Sequence, residues 1–339
     1  MTSARALAVA VALWAAGPAG AAPADLVPPS SAWVKISTAE LAARYDTLWA
    51  VSDVHGRLEQ LEQLLVASRL AVRQGSALTW NAARSRALFL VAGDLIDGGP
   101  DSVGVVLLLE RLQREAAAAS SRIVVLLGNH DAKFLARPGS AAPELMASAA
   151  RHAAELELPR SFKPKQLEET PFGVFLRGLP VAAFVGSWLF AHAGYIDSED
   201  GEPGLRAWFR RLDETAAKRD RNGFAALLDR RSIIEYHNWW RSEKRLAKTR
   251  HRLQELGLNG LVFGHDPDAL GAANTIAMNR DGWLIKLDTG LKTGASAGML
   301  MRCEVREIVS ADELAMVRDG APTCRAEMPD GSARALTVR

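Results

Sequence analysis

The 339-residue sequence has only two cysteines and no strong excess of charge of either sign. Its 41 basic and 39 acidic side chains leave a formal charge of +2, without a long basic arm or stripe. Nucleic-acid-binding proteins usually carry such a basic face, so the composition argues against nucleic acid as a partner. Beyond the first residues there is no long uninterrupted apolar run, so we expect the mature chain to be soluble.

The amino-terminal residues have the pattern of a secretory signal peptide. Arg5 precedes an apolar run from Ala6 to Ala16, and small residues follow at positions 19–24. We expect residues 1–24 to be removed by cleavage near residues 21–24, which predicts a periplasmic or secreted protein without a stable membrane anchor. An uncleaved anchor is the alternative, although the run is shorter than the roughly 20 residues of a spanning helix.

Both ends of the mature chain are expected to lie outside the main domain. Residues 25–45 begin with a Pro-Pro-Ser-Ser segment that breaks regular structure, which predicts a loosely attached lead-in. Residues 311–339 form a carboxyl-terminal tail. Cys303 and Cys324 can close a disulfide that holds this tail to the body of an exported protein, and two free thiols are the alternative.

Residues 46–310 combine short apolar runs with helical segments in a regular order. The runs 47–52, 87–92 and 123–127 each have the character of a buried strand, and a helical pattern follows the first two. Residues 132–171 are helical and irregular, as in an insertion, and strands dominate later. This order predicts an α/β fold, a four-layer α/β/β/α sandwich in which two mixed β-sheets are flanked by helices.

Polar clusters follow five of the apolar runs. The carboxyl ends of parallel strands meet at one edge of an open α/β sheet, which is where ligands bind. A single Asp or His in a loop is usually a turn or surface residue, but a series of O and N donors at strand ends indicates a metal site. The clusters are Asp53-Val54-His55-Gly56, Gly93-Asp94-Leu95-Ile96-Asp97, Gly128-Asn129-His130-Asp131, Ala191-His192-Ala193-Gly194 and Phe263-Gly264-His265.

In this order the clusters resemble the signature of the calcineurin-like metallophosphoesterase superfamily, D-x-H, G-D-x-x-D, G-N-H-D/E, H and G-H. The resemblance extends over roughly residues 49–300. It implies two divalent metal ions, Mn, Fe or Zn, about 3.5–4 Å apart, and a bridging water that loses a proton and attacks phosphorus. The implied metal ligands, of which Asp94 bridges both ions, are Asp53, His55, Asp94, Asn129, His192 and His265.

The resemblance also implies roles in catalysis and substrate binding. His130 would protonate the leaving oxygen, and Asp97 would orient its ring, as carboxylates do in other hydrolytic sites. A turn residue is the alternative for Asp97. Asn129 and Arg241 would bind the substrate phosphate. The alternative for Arg241 is a surface charge beside two packed tryptophans, because the basic run 241–252 is typical of a solvated helix face.

Within the superfamily the sequence is similar to the protein-phosphatase branch, in particular the bacterial Shewanella-like phosphatases. Gly264-His265 lacks the second histidine of the common G-H-x-H motif, and Leu287-Asp288-Thr289-Gly290 also looks like that group. Two positions depart from it. Gly98 stands where the branch usually has a phosphate-clamping arginine, and Asp131 stands where glutamate is favoured. An arginine is the usual residue for binding phosphate through two hydrogen bonds. Its absence argues more strongly against protein-phosphatase activity than against phosphoesterase chemistry in general.

The expected function is therefore metal-dependent hydrolysis of a phosphoester substrate, a phosphoprotein or a small phosphomonoester. A phosphodiesterase or dinucleotide-polyphosphate hydrolase with the same site is the alternative among enzymes. A catalytically silent binding module is the alternative from another class. Such a module is expected to have lost a metal ligand, whereas all six are present.

Overall fold

A computed structural model of the chain describes residues 30–294, 296–310, 313–318 and 321–339. The expected signal peptide, residues 1–24, and its cleavage site lie outside these ranges. Within them, no helix combines the length and the apolar character that crossing a bilayer requires.

Nineteen strands and eleven α-helices make up the described structure. The strands are β1 Trp33–Ile36, β2 Thr47–Val51, β3 Ala71–Gln74, β4 Ala77–Trp80, β5 Ala87–Val91, β6 Arg122–Val125, β7 Ala182–Val185, β8 Trp188–Ala191, β9 Gly260–Phe263, β10 Ala277–Met278, β11 Leu284–Lys286, β12 Leu300–Glu304, β13 Val309–Ser310, β14 Glu313–Leu314, β15 Val317–Arg318, β16 Ala321–Pro322, β17 Arg325–Glu327, β18 Ala333–Ala335 and β19 Thr337–Val338.

The helices are α1 Thr38–Arg44, α2 Leu58–Ala67, α3 Ser102–Ala118, α4 Asn129–Ala136, α5 Pro143–Arg151, α6 Pro164–Glu169, α7 Pro171–Gly178, α8 Gly201–Ala217, α9 Arg221–Leu227, α10 Glu243–Glu255 and α11 Val305–Ile308. Short 3₁₀ turns lie at Pro138–Ser140, Trp239–Arg241, Ala269–Gly271 and Leu291–Thr293.

Two mixed sheets form the centre of the fold. One has seven strands in the order β1-β7-β8-β9-β11-β10-β19, and the other has six in the order β18-β17-β12-β2-β5-β6. Strands β2, β5 and β6 are parallel neighbours in the six-stranded sheet. Strands β8 and β9 are parallel neighbours in the seven-stranded sheet. Each sheet therefore brings the carboxyl ends of neighbouring strands to one edge.

Alternate residues of the central strands face two different cores. Leu88 and Leu90 of β5 pack with Phe190 and Val262 of the other sheet, so this core lies between the sheets. Phe89 belongs instead to the core that includes the apolar residues of helices α2 and α3. Because a strand projects successive side chains to opposite faces, both faces of each sheet are covered. This arrangement confirms the predicted four-layer α/β/β/α sandwich.

Both chain ends are more closely integrated than the sequence suggested. The described part of the expected lead-in contributes β1, which pairs in parallel with β7, and buries Trp33 and Ile36. A four-residue edge strand gives little sequence signal beside a Pro-Ser segment, so loose attachment was the wrong expectation for residues 30–45. In the tail, β17 pairs with β12, and the predicted disulfide between Cys303 and Cys324 is formed.

Candidate metal centre

The five polar clusters meet at the shared edge of the two sheets. Main-chain hydrogen bonds join the loops that carry these clusters. The backbone N–H of His55 donates to the carbonyl oxygen of Asp94 at 2.9 Å. The backbone N–H of Gly264 likewise donates to the carbonyl oxygen of His192, also at 2.9 Å. Each cluster begins within three residues of a strand end, so the sheets fix where these side chains start.

Asp94 lies at the middle of the cluster. Its Oδ1 is 3.3 Å from Nε2 of His192, and its Oδ2 is 3.4 Å from Nε2 of His55. His192 in turn has its Nε2 3.0 Å from Nδ1 of His265. Asp53 completes this side, with Oδ1 3.8 Å from Nε2 of His55 and Oδ2 accepting from the backbone N–H of His265 at 2.9 Å. All five side chains are buried.

Two groups of potential metal ligands result, and they share Asp94. One comprises His55, Asp94 and His130, and the other comprises Asp94, His192 and His265. Within each group the ligand atoms all lie within 4.8 Å of one another. A carboxylate that belongs to both groups has the position of a ligand shared by two ions.

Asn129 stands beside the second group at the start of helix α4. Its Nδ2 donates to Oε2 of Glu235 at 2.7 Å, whereas its Oδ1 is buried and has no partner within the described residues. Glu235 also contacts His265, because its main-chain oxygen is 3.1 Å from Nε2 of that ring. Glu235 therefore positions two of the predicted ligands, and no motif in the sequence pointed to it.

Main-chain oxygens fix the orientation of the three predicted histidine ligands. Nδ1 of His55 lies 3.0 Å from the carbonyl oxygen of Ile96, and Nδ1 of His192 lies 2.9 Å from that of Ala92. Nε2 of His265 lies 3.1 Å from the carbonyl oxygen of Glu235. A carbonyl oxygen only accepts, so each of these nitrogens carries the proton. The other nitrogen of each ring faces the cluster, as in histidines that bind metals.

The electrostatics of the cluster favour a cation at its centre. Burial lowers the pKa of His55 to about 4, so its Nε2 lone pair faces the carboxylate oxygens of Asp94 and Asp53 without a proton between them. Burial opposes protonation of His192, but the carboxylates of Asp94 and Asp53 outweigh it and raise the pKa of His192 to about 10. A proton on His192 balances only part of the negative charge of Asp94 and Asp53. Divalent ions fit this donor set, and they also fit the unpaired Oδ1 of Asn129.

His130 and Asp97 form the predicted pair at the rim of the cluster. Nδ1 of His130 is 2.9 Å from Oδ2 of Asp97, and the His130 ring stands edge-on to that of His55 with centroids 5.0 Å apart. The backbone N–H of His130 donates to Oδ1 of Asp94 at 2.9 Å. Its Nε2 is 2.7 Å from Nζ of Lys292, a residue that the sequence did not single out.

Arg241 is the predicted site residue that the structure leaves outside the cluster. Its side chain is exposed, and its guanidinium lies 4.9 Å from the ring centre of Trp240. Within the described residues it forms no hydrogen bond or ion pair with the cluster. Trp239 is fully buried, as the alternative interpretation expected, and Nε1 of Trp240 donates to Oδ2 of Asp266 at 2.8 Å.

Asp131 supports the loops and does not point at the cluster. Its Oδ2 accepts from the backbone N–H of Gly128 at 2.9 Å and of Asp94 at 3.1 Å, and its Oδ1 accepts from that of Leu95 at 3.0 Å. Burial and the nearby Asp94 carboxylate raise the pKa of Asp131 to about 7. Its carboxylate therefore joins the loop after β5 to the start of α4.

Replacing Asp131 with alanine should destabilise the protein by at least about 3 kcal/mol, since each of its three buried N–H partners would lose an acceptor at a cost of roughly 1–3 kcal/mol. Urea unfolding followed by tryptophan fluorescence measures this change. The matched control is Asp281→Ala, which removes an exposed carboxylate paired with Arg250 and should cost less than about 1 kcal/mol. Equal urea midpoints for the two variants would contradict the assignment.

Two glycines allow the loops to approach this closely. A Cβ at Gly128 would lie 2.1 Å from the backbone nitrogen of Asp94, and one at Gly264 would lie 2.2 Å from Oδ2 of Asp53. Both distances are far below van der Waals contact. Asp94 and Asp53 can occupy their positions because Gly128 and Gly264 have no Cβ.

A buried cluster of carboxylate and imidazole donors at the strand ends of an α/β/β/α sandwich has the chemistry of a site for divalent metals. The model of the Calcineurin-like phosphoesterase family matches residues 47–269, and the chain belongs to that family. It is accordingly a hydrolase that acts on phosphoester bonds, and divalent metals are the family's usual cofactors.

Comparison with individual proteins confirms the resemblance to Shewanella-like phosphatases. Shewanella-like protein phosphatase 2 of Arabidopsis thaliana is 30% identical over 86 residues, 25% of this chain and 21% of that protein. Bis(5'-nucleosyl)-tetraphosphatase PrpE of Oceanobacillus iheyensis is 36% identical over 80 residues, 24% of this chain and 28% of that protein. The aligned segments thus cover less than a third of either relative.

A solved structure shows the same fold over most of the chain. The cold-active protein-tyrosine phosphatase of a psychrophilic Shewanella species superposes with a TM-score of 0.64 at 19% sequence identity. The superposition covers 92% of this chain and 84% of that one. At this identity the similarity establishes the fold alone.

Proposed function

We propose that the protein is a phosphomonoesterase of the protein-phosphatase-like branch, that it holds two divalent metal ions, and that it acts on phosphoproteins or small phosphomonoesters. The observation that carries this proposal is the position of Asp94, whose two oxygens face His192 and His55 respectively. One buried carboxylate thereby joins two groups of donors. That arrangement serves a pair of ions better than a single one.

The residues divide naturally between the two ions. Asp53, His55 and Asp94 would hold one, and Asp94, Asn129, His192 and His265 would hold the other. The mixture of imidazole, amide and carboxylate donors suits Mn, Fe or Zn. When bound, the ions would activate a water as the nucleophile and offset charge on the phosphoryl oxygens.

His130 has the surroundings of a general acid. Nδ1 lies 2.9 Å from Oδ2 of the Asp97 carboxylate, while Nε2 lies at the rim of the cluster, 2.7 Å from Nζ of Lys292. Protonated His130 can donate its Nε2 proton to the departing ester oxygen, so that an alcohol leaves instead of an alkoxide. Asp97 keeps the ring in this orientation, as a carboxylate does for the histidine of other hydrolases.

Hydrolysis of a dinucleotide polyphosphate is the second candidate. The 36% identity to a bis(5'-nucleosyl)-tetraphosphatase supports it, although the match is confined to 80 residues. Phosphodiester hydrolysis at the same site stays an alternative on chemical grounds. A silent binding module is disfavoured because all six predicted donors are present and five of them lie within one cluster.

We further propose a periplasmic or secreted location. The disulfide between Cys303 and Cys324 supports it, because structural disulfides persist mainly in oxidising compartments.

Removal of metal tests the proposed function directly. Dialysis against excess chelator should abolish hydrolysis of p-nitrophenyl phosphate, and added Mn²⁺ should restore it, because the proposed nucleophile is a water that the metal ions would activate. Parallel assays with bis(p-nitrophenyl) phosphate and diadenosine tetraphosphate then rank the three substrate classes on one sample. Activity that persists in the metal-depleted protein would refute metal-dependent catalysis, and a preference for diadenosine tetraphosphate would favour the second candidate.

A further inference from the structure

A lysine from a distant part of the chain reaches the rim of the candidate metal centre. Lys292 lies in the 3₁₀ turn Leu291–Thr293, and its Nζ is 2.7 Å from Nε2 of His130. Because the Asp97 carboxylate accepts a hydrogen bond from Nδ1 of His130, Nε2 carries the lone pair and accepts from the lysine. The ammonium group therefore stands at the mouth of the cluster.

The turn that carries Lys292 is fixed in place. Glycines with left-handed backbone, Gly290 and Gly294, flank it on either side. Arg57 donates from Nη2 to the main-chain oxygen of Lys292 at 2.8 Å, which joins the turn to the loop that follows His55. Thr293 donates from Oγ1 to the main-chain oxygen of Gly290 at 3.1 Å. The lysine thus projects from an anchored turn.

The stem of Lys292 occupies the space above Gly98. A Cβ at Gly98 would lie 2.8 Å from Cγ of Lys292, and Gly98 itself has a φ of +92°. A side chain at position 98 would therefore be strained and would displace the lysine. Position 98 has no side chain, and the lysine supplies a positive charge beside the same loop.

The ammonium group has no anionic partner within the described residues. Its Nζ contacts Nε2 of His130 at 2.7 Å, and the lysine is solvent-exposed. Two further lysines near the cluster are occupied: Nζ of Lys133 is 3.2 Å from Oε2 of Glu235, and the buried Nζ of Lys286 donates to the main-chain oxygen of Pro267 at 2.7 Å. A phosphoryl oxygen is a stronger acceptor for an ammonium than a neutral imidazole, since charge-assisted hydrogen bonds are the stronger ones.

We propose that Lys292 binds the phosphate of the substrate, supplying at the rim of the cluster a cation that position 98 lacks. This inference rests on the proposed phosphomonoesterase function and names one of its substrate-binding residues. When a phosphate enters, Nζ transfers its hydrogen bond from His130 to a phosphoryl oxygen. Nε2 of His130, no longer bonded to the lysine, can then take up a proton from solvent and donate it to the leaving oxygen of the ester.

Replacing Lys292 with methionine tests this role, because methionine keeps most of the stem and removes the charge. The competitive inhibition constant of inorganic phosphate and the KM for p-nitrophenyl phosphate should both rise about 10- to 100-fold, the loss expected for one charge-assisted hydrogen bond. Lys292→Arg should stay within about 3-fold of the wild type. Lys244→Met, at an exposed position of helix α10, is the matched control and should change neither constant.

Calorimetric titration of the Mn²⁺-loaded protein with inorganic phosphate separates this inference from the proposed function, since it requires no turnover. Weaker phosphate binding by Lys292→Met, with unchanged metal content and melting temperature, supports the inference. Wild-type protein that hydrolyses no phosphoester would refute the proposed function. Weaker phosphate binding by Lys292→Met than by the wild type would still support Lys292 as a phosphate-binding residue. Equal phosphate binding by wild type and Lys292→Met would overturn the inference, as would a wild type that binds no phosphate. A loss seen in Arg241→Met instead would assign the phosphate to that arginine.

Discussion

Replacing Asp94 with asparagine should remove most of the bound metal and lower phosphoester hydrolysis by more than about 100-fold. Residues that only support a metal ligand contribute up to about 100-fold, and a ligand shared by two ions should contribute more. The reason is the position of its two oxygens, which face His192 and His55 across the cluster. Asparagine replaces one oxygen with an NH₂ group, which cannot bind a cation, and removes the charge. Its remaining oxygen can still accept the 2.9 Å hydrogen bond from the backbone of His130, so the fold should persist.

Elemental analysis and turnover of p-nitrophenyl phosphate should be measured on the same preparation of this variant. If the proposed pair of ions is bound, the wild type should contain about two ions per chain and the variant fewer than one. Asp281→Asn changes an exposed carboxylate that pairs with Arg250, and it should alter neither quantity. A variant that retains its metal would show that Asp94 is not the shared ligand.

The fold and the centre of the site could be predicted because their signals are local. Short apolar runs such as Ala87–Val91 form buried strands, and the donors follow them directly in the chain. Parallel neighbouring strands then bring their carboxyl ends to one edge. Asp53 follows β2 of one sheet and His265 follows β9 of the other, so these two residues meet because the sheets pack against each other with these edges on the same side.

The supporting residues could not be predicted, because their positions depend on the course of loops. Glu235 reaches Asn129 and His265 from a segment without regular structure, and Lys292 reaches His130 from a turn 162 residues away. Neither residue belongs to a spacing pattern. Asp131 lies within a motif, yet its three contacts with backbone N–H groups appear only in the folded chain.

Backbone strain is concentrated where the donors lie. Asp53, His55, Asp94, Asp97 and His265 all have positive φ angles, between 48° and 70°. For residues other than glycine this conformation is uncommon and costs on the order of 1–3 kcal/mol. Buried strands on one side and glycines on the other hold these residues in place. The packing of the sheets thus offsets the conformational cost of these loops. The positive-φ backbone in turn points the donor side chains toward one another.

Replacing His130 with asparagine should lower kcat by about 10²- to 10⁴-fold, the usual contribution of a general acid. The loss should be larger for phenyl phosphate than for p-nitrophenyl phosphate. Phenol is a poor leaving group, with a pKa near 10 as in tyrosine, and therefore needs the proton that Nε2 donates. The nitro group stabilises the other leaving anion and makes that proton less necessary.

Metal analysis of the same variant distinguishes the two roles that the geometry allows His130. The ring lies close enough to His55 and Asp94 to act as a ligand, but Asp97 and Lys292 engage both of its nitrogens. Unchanged metal content, together with a loss that depends on the leaving group, identifies a general acid. Lost metal and an equal decrease for both substrates would make His130 a ligand instead. His251→Asn, at an exposed site on helix α10, should leave both rates and the metal content unchanged.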